Sequence, residues 1–113
     1  MNAAQLVINQ RQEDGKQIIE AIGEVDLTTA PHLREAILAF LARAEKLSLV
    51  VDLCQIDFID SAGLALLVEA RKKLAPEGLT LNILLTAGRQ PERVLKLGRF
   101  DTIMKLAYSL TDL

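Results

Sequence analysis

The sequence is poor in the residue types on which many catalytic, metal-binding and secreted proteins depend. The 113-residue chain has one Cys, one His, no Trp and 4% aromatic residues. A lone Cys54 cannot form an internal disulfide, which fits a reducing cytoplasm, and we interpret it as a small buried hydrophobe. The lone His32 follows Pro31 at a predicted helix start, so a surface or capping role is favoured over catalysis. These residues form no cluster with metal-ligand spacing, and no metal is predicted.

Other absences exclude classes of partner and cofactor. The formal net charge is −2 and no basic run is longer than the three residues RKK (71–73), which argues against direct nucleic-acid binding. Apolar runs are short and interrupted by charges, so no membrane insertion is expected. The first residues, MNAAQLVINQRQEDG, lack the basic start and apolar core of a secretory signal, and we expect a cytoplasmic protein. The glycine-rich phosphate loops of nucleotide-binding proteins and the G-x-S-x-G nucleophile elbow are missing, so no cofactor is predicted.

What the chain does contain is a regular succession of apolar segments, in a length that predicts one domain over residues 1–113. QLVINQRQ and QIIEAIGEV flank the turn EDGK and predict a hairpin. LSLVVDLC and LTLNILLTA are apolar runs typical of buried central strands. DTIMKLAYS is predicted to be a last short strand or a helical tail.

Three segments between these strands have helical patterns. The first is DLTTAPHLREAILAFLARAEK (26–46), in which Pro31 fits the first turn. The second is SAGLALLVEARKKLAPEG (61–78), ended by Pro76 and Gly78, and the third is RQPERVLKLG (89–98), ended by Gly98. The order β-β-α-β-α-β-α-β predicts an α/β sheet with parallel later strands. The predicted apolar faces are Leu33, Ile37, Phe40, Leu41 and Ala44 in the first helix, and Leu64, Leu67, Val68 and Leu74 in the second.

Four aspartates lie in or just after the predicted strands. Asp26 follows the second strand, and Asp52, Asp57 and Asp60 lie in or after the third. Acids at the ends of neighbouring parallel strands can hold Mg²⁺ for phosphoryl transfer. Alternatively, Asp26 and Asp60 cap the helices that follow them. The residue pattern leaves both interpretations open.

Ser61 stands at the predicted start of the second helix. A phosphate there would lie beside free backbone N–H groups and the positive end of the helix dipole. It would add negative charge next to Asp60 and, if the strands are adjacent, near Asp26. Ala62 and Gly63 are small and would keep the site accessible. A plain helix cap and a phosphorylation site both remain possible from these residues.

Three longer stretches resemble a known family in their order and spacing. They are GEVDLTTAPHLREAI from Gly23, LVVDLCQIDFIDSAGLALLVEARKKL from Leu49 and GLTLNILLTAGRQPERVLKLG from Gly78, and the resemblance that they carry covers nearly the whole length. They resemble the STAS domain of bacterial anti-sigma-factor antagonists, with its G-E-[LIV]-D segment and D-[ST]-x-G-L signature. The resemblance implies a mixed β-sheet of four to five strands, with three to four helices packed mainly on one face.

The resemblance also implies a function, which is not enzymatic. The unphosphorylated antagonist binds an anti-sigma factor that is also a serine kinase, and phosphorylation of the Ser corresponding to Ser61 releases it until a phosphatase resets it. Many antagonists have a second Ser or Thr where this chain has Ala62. The native state is expected to be a monomer or weak dimer. The implied partner-binding residues are Asp26, Thr29, Asp60, Ser61, Ala62 and Gly63.

Two alternatives remain beside this reading. AGLALLVEARKKL also resembles STAS subunits of lipid-transport ABC systems, and other STAS domains belong to sensory complexes. In such an accessory subunit Ser61 would be only a helix cap. The other alternative is a Mg²⁺-dependent phosphotransfer enzyme that uses Asp52, Asp57 or Asp60, which requires these acids to converge in space.

Overall fold

A computed structural model of the chain describes residues 5–44 and 46–113. Over these ranges the strands and helices follow the predicted order. Short 3₁₀ turns at Ala75–Glu77, Phe100–Thr102 and Leu110–Asp112 complete the described secondary structure. The strands are β1 (Leu6–Glu13), β2 (Lys16–Val25), β3 (Ser48–Ile59), β4 (Leu81–Leu84) and β5 (Lys105–Ala107), and the helices are α1 (Ala30–Leu41), α2 (Ser61–Leu74) and α3 (Gln90–Leu97).

The strands form a mixed sheet in the order β1-β2-β3-β4-β5. β1 and β2 are antiparallel, whereas each later neighbour pair is parallel. Asp14 and Gly15 join the hairpin with φ values of 52° and 74°, the paired positive angles that suit a two-residue turn between twisted strands. The predicted hairpin and parallel strands are therefore confirmed, and the last segment contains a short strand rather than a helical tail.

The main core lies between the helices and one face of the sheet. Alternate β3 residues such as Leu49 and Val51 pack there with Leu33 of α1, Leu67 of α2 and Leu95 of α3. The core is mostly aliphatic, as the scarcity of aromatic residues requires. The opposite face carries a smaller cluster of Ile18, Val50, Leu84 and Ala107, joined by Cys54 and the C-terminal residues Leu110 and Leu113.

The first helix is shorter than predicted. α1 begins at Ala30, after a turn over residues 27–29, and ends at Leu41. Ala44 was expected on the apolar face, but it lies beyond the helix and is exposed. The apolar pattern did not mark this end because Ala fits both a helix face and a loop. The predicted helix also included Glu45, which lies outside the described residues.

The second helix ends four residues before Gly78, the end of the predicted segment, and its buried face is rotated. α2 ends at Leu74, and after one 3₁₀ turn Gly78 adopts a left-handed conformation with φ 71°. Leu66 and Ala70 are buried, whereas Leu64 and Val68, expected in the core, are only half-buried. Across residues 5–44 and 46–113, the helices are too short or too polar to cross a membrane.

Candidate functional site

Two aspartates lie side by side where neighbouring parallel strands end. Val25 of β2 and Ile59 of β3 are partners in the strand register. The N–H of Asp60 donates to the carbonyl oxygen of Val25 at 3.0 Å, so the first residue after β3 still pairs with the last residue of β2. Asp26 and Asp60 therefore share one edge of the sheet.

Asp60 caps α2. Its Oδ1 accepts hydrogen bonds from the N–H groups of Ala62 at 2.9 Å and Gly63 at 3.1 Å. The N–H of Leu64 donates to the Asp60 carbonyl oxygen at 3.0 Å, which is the first helical hydrogen bond. This confirms the capping interpretation and corrects another expectation. The N–H groups of Ala62 and Gly63 are not free for a phosphate on Ser61, because the adjacent carboxylate already occupies them.

Asp26 makes the same arrangement before α1. Its Oδ1 accepts from the N–H groups of Thr28 at 2.9 Å and Thr29 at 3.0 Å. The N–H of Ala30 donates to the Asp26 carbonyl oxygen at 2.8 Å, so one helical turn forms ahead of α1. Asp60 thus caps α2 directly, whereas Asp26 caps the turn over residues 27–29 that precedes α1, and in each aspartate Oδ1 is used for capping.

The Thr29 hydroxyl is used inside the same loop. It accepts from the N–H of Asp26 at 2.9 Å and donates to the carbonyl oxygen of Glu24 at 2.7 Å. Thr29 is only 7% exposed. It therefore lies beside the other predicted site residues, but its hydroxyl holds the shape of the loop rather than facing solvent.

Ser61 is the first residue of α2 and is exposed. Gly63, two residues later, is buried against the strand ends. A Cβ on Gly63 would lie 2.5 Å from Cγ1 of Ile59 and 2.8 Å from Cγ1 of Val25. Real Cβ atoms do not approach other carbons so closely, so the absence of a side chain lets α2 reach the sheet and present Ser61 at its edge.

The predicted site residues are brought together at this edge of the sheet. Strand register and hydrogen bonds join the two turns, so Asp26 and Thr29 of one turn lie beside the 60–63 segment of the other. Asp60 and Ala62 are half-buried, and Ser61 has the most open position in the segment. The side chain of Ser61 is therefore accessible to a protein that docks at this edge of the sheet.

Sequence reasoning missed a shallow apolar groove between α1 and α2, next to Ser61. The groove has a volume of about 210 Å³. Leu27 at its rim is 78% exposed, which no local sequence signal identified. Arg34 at its other side donates to Glu69 at 2.8 and 3.1 Å, and this bonding lowers the pKa of Glu69. The groove is lined by Leu27, Ala30, Pro31, Arg34, Ala62, Ala65, Leu66 and Glu69.

A second missed residue is Gln90, the first residue of α3. β3 continues to Ile59, but its register with β4 ends at Asp52. At Ile59 the N–H donates to Oε1 of Gln90 at 2.9 Å, and Nε2 of Gln90 donates to the Ile59 carbonyl oxygen at 2.9 Å. The side-chain amide thus replaces the missing strand at the residue before Asp60. No periodic pattern could reveal a contact between residues so far apart.

The magnesium hypothesis fails because the acids do not converge. Strand alternation places Asp52 on the helix-free face, where its Oδ1 accepts from the N–H of Cys54 at 2.9 Å. Asp57 is exposed and pairs with Arg89, whereas Asp60 caps α2. Asp52 and Asp60 are eight positions apart along an extended chain, roughly 25 Å at the usual rise of a strand. In the part of the chain that the structure describes, His, Cys, Asp and Glu form no metal-binding group of three or more.

Cys54 is half-buried in the small cluster on the helix-free face. Burial, followed by the nearby Asp52 carboxylate, raises the pKa of the thiol to about 11. A thiol with this pKa is almost entirely protonated at neutral pH and is a weak nucleophile. The prediction of a packed, unreactive Cys is consistent with this position, although the residue is not fully buried.

Known proteins with similar sequences and folds identify the family of this chain. The family model for the STAS domain matches residues 7–113. An anti-sigma factor antagonist from Mycobacterium paratuberculosis is 29% identical, with a TM-score of 0.84 over 95% of this chain and 89% of that chain. Two more distant structures show the fold alone. One is a candidate antagonist from Thermotoga maritima (21% identity, TM-score 0.78, covering 93% and 89% of the two chains).

The other is the Bacillus cell fate determinant SpoIIAA in its phosphorylated form. It is 15% identical, with a TM-score of 0.69 over 94% of this chain and 95% of that chain. The five-stranded mixed sheet, with its helices on one face, agrees with the SpoIIAA-like fold. The match of the family model extends from the second residue of β1 to the C-terminal residue. The chain belongs to the STAS domain family.

Proposed function

We propose that this one-domain chain is a non-enzymatic, cytoplasmic anti-sigma-factor antagonist controlled by phosphorylation of Ser61. The 29% identity to a mycobacterial antagonist over most of both chains supports the general role. The observation that carries the proposal is the position of Ser61, which is exposed at the start of α2, directly after Asp60 and at the edge of the sheet that Asp60 shares with Asp26. We define the switch surface as Asp26, Leu27, Asp60, Ser61 and Ala62, with Thr29 and Gly63 supporting it from below.

The physical effect of phosphorylation is a change in local charge. A phosphoserine adds about 1.5 to 2 negative charges at neutral pH. Because Asp60 already occupies the N–H groups of Ala62 and Gly63, these two donors are not available to the phosphate, and the helix dipole is its main local stabilisation. Most of its charge therefore faces outward, close to the carboxylates of Asp60 and Asp26. A partner that tolerates the acidic, unmodified surface is repelled or displaced by the modified one.

The rest of the surface suits a protein partner. The groove beside Ser61 offers apolar side chains, and Leu27 at its rim is largely exposed. Arg34 is already paired with Glu69, so its guanidinium is not poised to neutralise a phosphate. In this proposal the partner is a kinase-type anti-sigma factor, which both binds the switch surface and phosphorylates Ser61. A phosphatase restores binding without refolding of either protein.

The test compares partner binding by the wild type, the phosphoprotein, two Ser61 variants and one control variant. The partner is captured with the wild-type protein and identified by mass spectrometry, and its affinity is then measured by calorimetry. We expect Ser61→Asp and the phosphoprotein to bind at least tenfold more weakly, and Ser61→Ala to bind like the unphosphorylated wild type. Thr80→Asp, an exposed position just before β4, is the charge-matched control and should bind normally. Equal affinity for all forms would refute the phosphorylation switch.

One observation favours a second candidate, an accessory subunit of a lipid-transport ABC system or a sensory complex. Asp60 satisfies the α2 N-terminus by itself, so the D-S-x-G segment makes structural sense without any phosphate. This candidate predicts that Ser61 is never phosphorylated in the native cell. It also predicts co-purification with a transport ATPase or sensor protein rather than with an anti-sigma factor.

A further inference from the structure

The end of β3 is held by a side chain rather than by a neighbouring strand. The N–H of Asp60 faces β2, where it donates to Val25. Because successive residues of a strand bond to opposite sides, the N–H and carbonyl of Ile59 point away from β2, toward the side on which β4 lies. β4 has already ended there, so it offers Ile59 no backbone partner. Instead, both backbone groups bond to the amide of Gln90 at 2.9 Å.

We propose that Gln90 is the positioning residue for the Asp60–Ser61 turn and couples α3 to the switch surface. Ile59 immediately precedes Asp60, and it is only 1% exposed. Unpaired backbone groups at such a position are unfavourable, so removal of the amide would displace this end of the strand. Any displacement of Ile59 moves the cap and the adjacent Ser61 with it.

The chemistry of the contact requires a primary amide of this length. Gln offers a donor and an acceptor on one planar group, which matches the N–H and C=O of a single extended residue. Glu of equal length can accept from the N–H but, when ionised, faces the carbonyl with a second negative oxygen. Met fills similar space and can do neither. These differences separate hydrogen bonding from packing.

The other end of the contact is fixed firmly. Gln90 begins α3, and Pro91 and Leu95 of the same helix are buried against the core. Ile59 in turn packs where α2 approaches the sheet, because its Cγ1 would lie 2.5 Å from a Cβ on Gly63. The amide of Gln90 thus links α3 to the main chain of Ile59, whose side chain packs beneath the switch surface.

The experiment measures amide hydrogen exchange and amide resonances of the isolated protein by NMR. Gln90→Met should speed exchange at the Ile59 N–H at least tenfold and shift the resonances of residues 60–63. Gln90→Glu keeps the acceptor, so exchange at Ile59 should lie between those of the wild type and Gln90→Met. Gln12→Met, the same substitution at an exposed position of β1, is the matched control and should leave residues 59–63 unchanged.

Two outcomes would overturn the proposal. In the first, Ile59 in Gln90→Met exchanges within twofold of the wild-type rate. In the second, exchange rises equally in the β1–β2 hairpin, which indicates general destabilisation rather than positioning. The relevance of the turn to partner control rests on the function proposed above, but this test uses no partner. If Ser61 substitutions leave binding unchanged while Gln90→Met moves Ile59, the phosphorylation switch fails and the positioning role stands.

Discussion

Gly63→Ala tests whether the close approach of α2 to the sheet governs the geometry of the site. Two opposing effects act on this substitution. Ala has a higher helix propensity than Gly by up to about 1 kcal/mol in a helix interior. Against this, the new Cβ would lie 2.5 Å from Ile59 Cγ1 and 2.8 Å from Val25 Cγ1, so the packed core must shift. The sign of the stability change therefore shows which effect dominates.

We expect the clash to dominate. Overpacking of a well-filled core costs about 1 to 3 kcal/mol. The gain in propensity is smaller than its interior value because Gly63 lies in the first turn of α2, where Asp60 already bonds its N–H. The net loss in free energy of unfolding should be about 1 to 2 kcal/mol. In a chain of this size that lowers the melting temperature by roughly 4 to 8 °C.

The assay is thermal and urea denaturation followed by circular dichroism. Ala65→Gly, at an exposed position on the same helix, is the control that measures helix propensity without any clash. It should destabilise the protein by about 0.5 to 1 kcal/mol. If Gly63→Ala were as stable as the wild type or more stable, the packing argument would be refuted, and the glycine of the D-S-x-G segment would need another explanation.

Two further predictions concern the Cys54 thiol and the Thr29 hydroxyl. Because folding raises the pKa of Cys54 from 9.0 to about 11, the ionised fraction of the thiol at pH 8 falls about 100-fold, and iodoacetamide should react roughly tenfold more slowly with the native thiol than with the unfolded one, since a thiolate of higher pKa is the stronger nucleophile. The raised pKa also makes stability depend on pH, because the thiol of the unfolded chain ionises before that of the folded one. The stability that the protonated Cys54 contributes is complete below pH 9 and is lost as the pH rises to about 11. Cys54→Ala should not show this loss. Thr29→Val should lower the free energy of unfolding by about 1 to 3 kcal/mol, because it leaves the Asp26 N–H and the Glu24 carbonyl without their hydroxyl partner. Thr29→Ser should retain most of that stability, and equal urea midpoints for the Val and Ser variants would contradict the assigned role.

The order of elements was predictable because its signals are local. The Asp14-Gly15 turn requires positive φ at both residues, which these residue types tolerate, and alternating apolar positions on either side mark the strands. Pro76 and Gly78 likewise identify the end of α2 from chemistry within a few residues. Each of these signals depends on neighbours in the sequence, not on the final packing.

The contacts that shape the site depend instead on distant parts of the chain. Gln90 reaches Ile59 across 31 positions, and it does so because β4 ends before β3 does. Leu27 is apolar and lies beside a helix, so its pattern suits a core position, yet it is exposed. Only the three-dimensional arrangement decides which apolar residue faces the core and which faces the groove.

The capping and phosphorylation interpretations of the D-S-x-G segment concern different residues of the segment. Asp60 satisfies the helix N-terminus, and Gly63 permits its close approach to the sheet. A purely structural segment explains these two residues and does not require a hydroxyl at Ser61. Because Asp60 performs the capping, replacing Ser61 should leave the fold unchanged, so an effect of Ser61→Asp on partner binding can be attributed to charge at the surface.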